Sequence, residues 1–93
     1  MKLDEIRQKI DQIDDEIAQL FQRRMALAEE VAREKQRSGA PVLHKGREEA
    51  ICARLEEQVL PEYQAALRQL YETIFHISRA HQARLLEKGG RNA

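Results

Sequence analysis

Arg24 stands where the surrounding pattern calls for an apolar side chain. Ile10, Ile17, Arg24 and Val31 follow one another at intervals of seven residues, the repeat of a helical seam. A lone arginine on such a seam has two readings. Its stem can pack while the head snorkels to water, or the guanidinium faces inward as a cation for a ligand, since unpaired buried charge is costly. A guanidinium fork takes a carboxylate through two parallel hydrogen bonds. Lys35 lies eleven residues farther on, about three helical turns, hence on nearly the same face. Taken alone it also reads as an ordinary cation near a helix C-terminus. Arg7 precedes Arg24 by seventeen residues, roughly 25 Å along a helix axis. It cannot share a small-molecule site with Arg24 of its own chain, but in an antiparallel dimer it reaches the partner's.

Three further groups of residues bear on chemistry. Arg47 and Glu48 open a second helical pattern, where a solvated first turn is the plain alternative. Ser78 and Gln82, four apart, extend an apolar stripe; they line a pocket or form a structural hydrogen-bond pair. His44, His76 and His81 lack the spacing and acidic companions of a helical zinc site, so no metal is expected. No Gly-rich phosphate loop and no sequential Ser-His-Asp signature is visible.

The elements that must position these side chains are helices. From Asp4 to Arg37 there is no Pro or Gly, and Ile6, Ile10, Ile13, Ile17, Leu20, Leu27 and Val31 recur in alternating steps. The spacing predicts a helix over about 4–38, with Asp4 as a candidate N-cap and Gly39 and Pro41 as its stop. A second helix is expected over about 45–59, with Ile51, Leu55 and Val59 inward. Pro61 then breaks the pattern and starts a third helix over about 61–88. Its stripe is Leu67, Leu70, Tyr71, Ile74, Phe75, Ile77 and Leu85, and Gly89-Gly90 is its expected end. The fold class is all-α, a single domain over residues 1–93.

The first helix is too long for this chain alone. About 34 residues extend roughly 50 Å, whereas a compact chain of this length has a radius of gyration of about 12 Å. Its stripe needs another chain, so a helical homodimer is expected. Lys plus Arg and Asp plus Glu each total 16, giving no net charge; that balance speaks against nucleic-acid or anionic-membrane partners. Cys52 is the only cysteine, which rules out an intrachain disulfide and suits a small buried apolar group in a reducing compartment. No stretch approaches the roughly 20 apolar residues of a membrane span, and a cytoplasmic protein is expected.

The ordered set of these residues resembles the all-α chorismate mutases, the class that includes the mutase domain at the start of bifunctional prephenate-forming enzymes. The resemblance runs from Ile6 to about Leu86. It rests on Ile-Arg-Gln-Lys-Ile-Asp around Arg7, Leu-Phe-Gln-Arg-Arg ending at Arg24, then Lys35, Pro41-Val42, Arg47-Glu48, Ser78 and Gln82. It implies a three-helix protomer in an intertwined dimer, and cofactor-free conversion of chorismate to prephenate in the shikimate pathway to Phe and Tyr. Carried over by position, Arg24 and the other protomer's Arg7 grip the substrate carboxylates. Lys35 and Gln82 donate to the ether oxygen, Glu48 accepts from the ring hydroxyl, and Arg47 and Ser78 complete the wall. His44 stands where the family usually has an acidic residue. A lyase releasing pyruvate from isochorismate on the same scaffold is the nearest alternative, and a non-catalytic helical dimerisation module is another.

Overall fold

The structure, a computed structural model, describes residues 2–92, with side chains through residue 87. Three helices follow in order: α1 (Lys2–Ser38), α2 (Lys45–Glu56) and α3 (Pro61–Asn92). Helix α3 is the common partner, on which both α1 and α2 pack. The molecule is elongated, 58 × 27 × 14 Å, with a radius of gyration of 16.8 Å. That exceeds the value of about 12 Å for a compact chain of this length, because α1 runs far past the other two helices.

Local chemistry explains most of the boundaries. Helix α1 begins at Lys2, so Asp4 is not its N-cap; it sits with Glu5 in the first turn, where a negative charge meets the positive end of the helix dipole. At the other end Gly39 adopts φ +77°, and the Ala40 N–H donates to the Lys35 carbonyl at 3.1 Å. This is a left-handed glycine stop that satisfies a terminal carbonyl. Helix α2 ends at Glu56, short of the expected Val59. The chain tightens there into i→i+3 bonds, Gln58 N–H to Leu55 O at 2.9 Å and Val59 N–H to Glu56 O at 3.4 Å. Leu60 precedes Pro61, and the proline ring disfavours helical geometry at that residue. Pro61 opens α3 as expected, but α3 continues through Gly89-Gly90 to Asn92. Glycine permits a left-handed stop without imposing one, and its cost inside a helix is only about 1 kcal/mol.

The core is small. Ile51 and Cys52 of α2 meet Phe75 of α3, with Leu55 and Tyr71 against them. Tyr71 and Phe75 pack edge to face at 5.7 Å between ring centroids, a favoured aromatic geometry. Burial pushes the Cys52 thiol pKa up, as for a structural cysteine. Helix α1 presents Ala28 and Ala32 to this assembly, and they are its two buried residues. Small side chains four apart let the helices approach closely. Of the expected α3 stripe, Phe75 is buried, whereas Leu70 and Ile77 are exposed.

Polar contacts fix α2 on α3. Arg68 forks onto the Glu49 carboxylate at 2.8 and 3.1 Å and also bonds Glu56. Its hydrogen bond holds Glu49 below the usual carboxylate pKa range. Gln64 caps the Glu56 carbonyl at 2.9 Å. Helix α1 is tied to α3 by Glu29 and His81, 2.9 Å apart. Among the described residues no helix is long and apolar enough to cross a membrane.

Candidate active site

Where α1, α2 and α3 converge, a cleft of about 290 Å³ opens, large enough for a small organic molecule. Helix α1 contributes Arg24, Leu27, Ala28, Val31 and Lys35, in steps of three and four that keep them on one face. Val42 and His44 come from the loop, Arg47, Glu48 and Ile51 from α2, and Phe75, Ser78, Arg79 and Gln82 from α3.

The structure therefore brings seven of the eight residues singled out in the sequence to one place: Arg24, Lys35, His44, Arg47, Glu48, Ser78 and Gln82. Arg7 is not among them; it is exposed on the free half of α1. Arg79 also lines the cleft and was not singled out. A charged residue beside an apolar stripe looks like the solvent edge of a helix. The one available signal was its place between Ser78 and Gln82.

Arg24 is half-buried rather than extended into water. Its guanidinium carbon lies 5.7 Å from the Tyr71 ring centroid and 5.8 Å from that of Phe75. Attraction to aromatic faces holds the cation without consuming an N–H donor, and Arg24 makes no ion pair among the described residues. Lys35 donates to the Val42 carbonyl at 2.7 Å, which leaves two of its three ammonium hydrogens for other acceptors. The left-handed stop at Gly39 folds the loop back so that this bond can close.

His44 has a defined local job. It is the N-cap of α2, and its Nδ1 accepts from the Arg47 N–H at 2.9 Å, while its carbonyl accepts the Glu48 N–H at 3.1 Å. An aspartate at an N-cap satisfies the same orphan donor. The histidine thus replaces an acidic residue as cap acceptor, and Arg47 and Glu48 ride on the turn that it closes.

Ser78 and Gln82 are both pair and pocket. Gln82 Nε2 donates to Ser78 Oγ at 3.0 Å, and both side chains are buried. The other end of the Gln82 amide, Oε1, is buried without a hydrogen-bond partner among the described residues. A buried polar atom left unpaired costs about 1–3 kcal/mol.

Arg24, Lys35 and Arg47 line one cleft and pair with no carboxylate among the described residues, an arrangement suited to a small anionic molecule. The known proteins that the chain matches agree. The chorismate mutase type II family model matches residues 6–83, and the chain belongs to that family. A chorismate mutase of Methanocaldococcus jannaschii is 35% identical over 86 residues, spanning 75% of this chain and 87% of that protein. No solved structure matches the chain. Among the described residues there is no group of three or more His, Cys, Asp or Glu side chains that could hold a metal ion.

Proposed function

We propose that the cleft binds chorismate and converts it to prephenate, and that it is complete only in a homodimer. The observation that carries this reading is the meeting of three cations, without carboxylate partners among the described residues, with Gln82, whose amide has one unpaired end, around a single cleft.

The reaction needs no external proton or nucleophile. A [3,3] rearrangement breaks the carbon–oxygen bond of the enolpyruvyl ether as its methylene carbon bonds to the ring. The protein must hold a flexible dianion in its compact reactive conformer and stabilise charge growing on the ether oxygen. Arg24 grips one carboxylate through a guanidinium already steadied by Tyr71 and Phe75. Arg47 completes the polar wall around the same dianion.

Lys35, anchored on Val42, and Gln82 donate to the ether oxygen. Turning the Gln82 amide over exchanges its ends: Ser78 Oγ–H then donates to Oε1, and Nε2 faces the cleft as a donor. The orphaned end becomes the one that meets the ether oxygen, where a positioned donor acts most strongly in the transition state. Glu48 accepts from the ring hydroxyl.

The second carboxylate falls to Arg7 of a partner copy. Leu3, Ile6, Ile10, Ile13, Ile17 and Leu20 all lie exposed along α1, a continuous apolar face of the kind that marks an interface. Two such helices running antiparallel cover both faces and carry Arg7 toward the partner's cleft. The enzyme so read is cytoplasmic and works without metal or organic cofactor.

The deciding experiment is a spectrophotometric assay of chorismate disappearance with product analysis. Prephenate is expected. Salicylate with pyruvate from isochorismate marks the lyase, and failure to bind either substrate or a bicyclic transition-state mimic refutes the enzymatic reading.

A further inference from the structure

Glu48 presents a physical problem that the reading above leaves open. Among the described residues it is the only carboxylate lining a cleft proposed to take a dianion. Two like charges brought into contact repel strongly at the effective dielectric near a protein surface. Glu48 also shares the cleft with Arg24 and Arg47, and pairing with either would withdraw a cation from the ligand.

The structure resolves both difficulties with one side chain. Arg79 Nη1 lies 2.6 Å from Oε1 and 2.6 Å from Oε2 of Glu48, on the bisector of the carboxylate. It joins the first turn of α2 to α3, and both side chains are largely covered. A carboxylate offers about four lone-pair sites, so two remain open. Docking of α2 onto α3 does not depend on this pair, because Arg68 with Glu49 and Glu56 secures it elsewhere.

We infer that Arg79 is a positioning residue for Glu48: its guanidinium is a resident counterion that neutralises the carboxylate toward the substrate, aims it, and keeps Arg24 and Arg47 free. The inference rests on the proposed mutase reading and deepens it. The four cleft cations thus divide, Arg79 serving the protein's own anion and Arg24, Lys35 and Arg47 serving the ligand's.

The test is a double-mutant cycle in the full chain, using Arg79→Met, Arg79→Lys, Glu48→Gln and the double variant Glu48→Gln/Arg79→Met. Arg79→Met should raise KM for chorismate about tenfold or more, since an uncompensated carboxylate then faces the dianion. Arg79→Lys should restore most of that loss. In the Glu48→Gln background no charge remains to neutralise, so adding Arg79→Met should leave KM within about twofold of the single variant. An Arg79 that grips the substrate directly would instead worsen KM in both backgrounds, and a merely structural Arg79 would lower thermal stability with KM unmoved; either result overturns the inference. Wild-type turnover of chorismate in the same assay tests the mutase reading separately. If turnover is absent, that reading falls, and the cycle is scored by affinity for a bicyclic dicarboxylate mimic, where loss of the Glu48 dependence overturns the Arg79 role.

Discussion

The two halves of α1 obey one pattern and meet different surroundings. From Lys2 to Arg23 the helix carries an apolar seam that none of the described residues covers; Ile13 and Ile17 are more than half exposed, at 55% and 56%. From Arg24 to Ser38 the same helix lies against α3, yet the residues buried there are Ala28 and Ala32, one step aside from the seam. Leu27 and Val31 stay exposed even in this half. The chain's own packing thus uses a small-residue face, leaves the seam free from Leu3 to Leu20 and turns its continuation at Arg24, Leu27 and Val31 toward the cleft. The contrast teaches that α1 carries two interfaces rotated about its axis: one for its own α3, and one that we assign to a second copy.

The comparison is most sharply broken at the free half. Ile10→Asp combined with Ile17→Asp leaves every contact within one chain intact, because neither side chain packs inside it. If the seam serves a second copy, this variant should run as a monomer in light scattering and lose nearly all activity, with a stability that no longer rises with protein concentration. A variant that stays dimeric and active would show that the free half is not the interface.

Arg24→Ala at the covered half should cost about 2–5 kcal/mol in kcat/KM, the range for truncating one member of a desolvated charge pair. Arg7→Ala should act similarly despite its distance from the cleft. Mixing the two variants restores one intact site per heterodimer, so activity should return on mixing; absence of complementation would detach Arg7 from the site.

Lys35→Ala and Gln82→Ala should each lower kcat by about 10²–10³ with smaller changes in KM, as for loss of one preorganised donor. Near-normal turnover in both would remove the ether-oxygen donors from the mechanism.

The smallest effect belongs to the cap. His44→Ala should cost about 1 kcal/mol of stability and loosen Arg47 and Glu48 together, while His44→Asp, which keeps an acceptor for the Arg47 N–H, should melt like the wild type. Equal melting of the alanine variant would deny the cap its role.

Much of this was legible in the sequence, for definable reasons. Periodicity exposed the seam, and a violation of periodicity exposed Arg24, because a charge among apolar residues has few physical outlets. Pro61 and Gly39 marked boundaries through backbone restrictions that no tertiary contact overrides. Other features depend on partners distant in sequence. Helix α2 stops at Glu56, whose carbonyl accepts from Gln64 of α3, rather than where the apolar count runs out, and Gly89-Gly90 allowed a stop that the backbone does not take. Arg79 gained meaning only when α3 was laid beside α2, which sets it against Glu48 across 31 residues of chain. His44 looked like a substitution of acid by base, whereas its Nδ1 accepts the Arg47 N–H as a carboxylate oxygen would.

The bond from Lys35 to the Val42 carbonyl bears on how this chain can vary. Its acceptor belongs to the main chain, so no side-chain replacement at position 42 removes it. Inheritance can reshape that wall of the cleft freely in bulk and polarity while the ammonium stays moored. What variation cannot touch cheaply is the path of the backbone, and Gly39, with a conformation that other residues enter only at a cost of about 1–2 kcal/mol, guards that path.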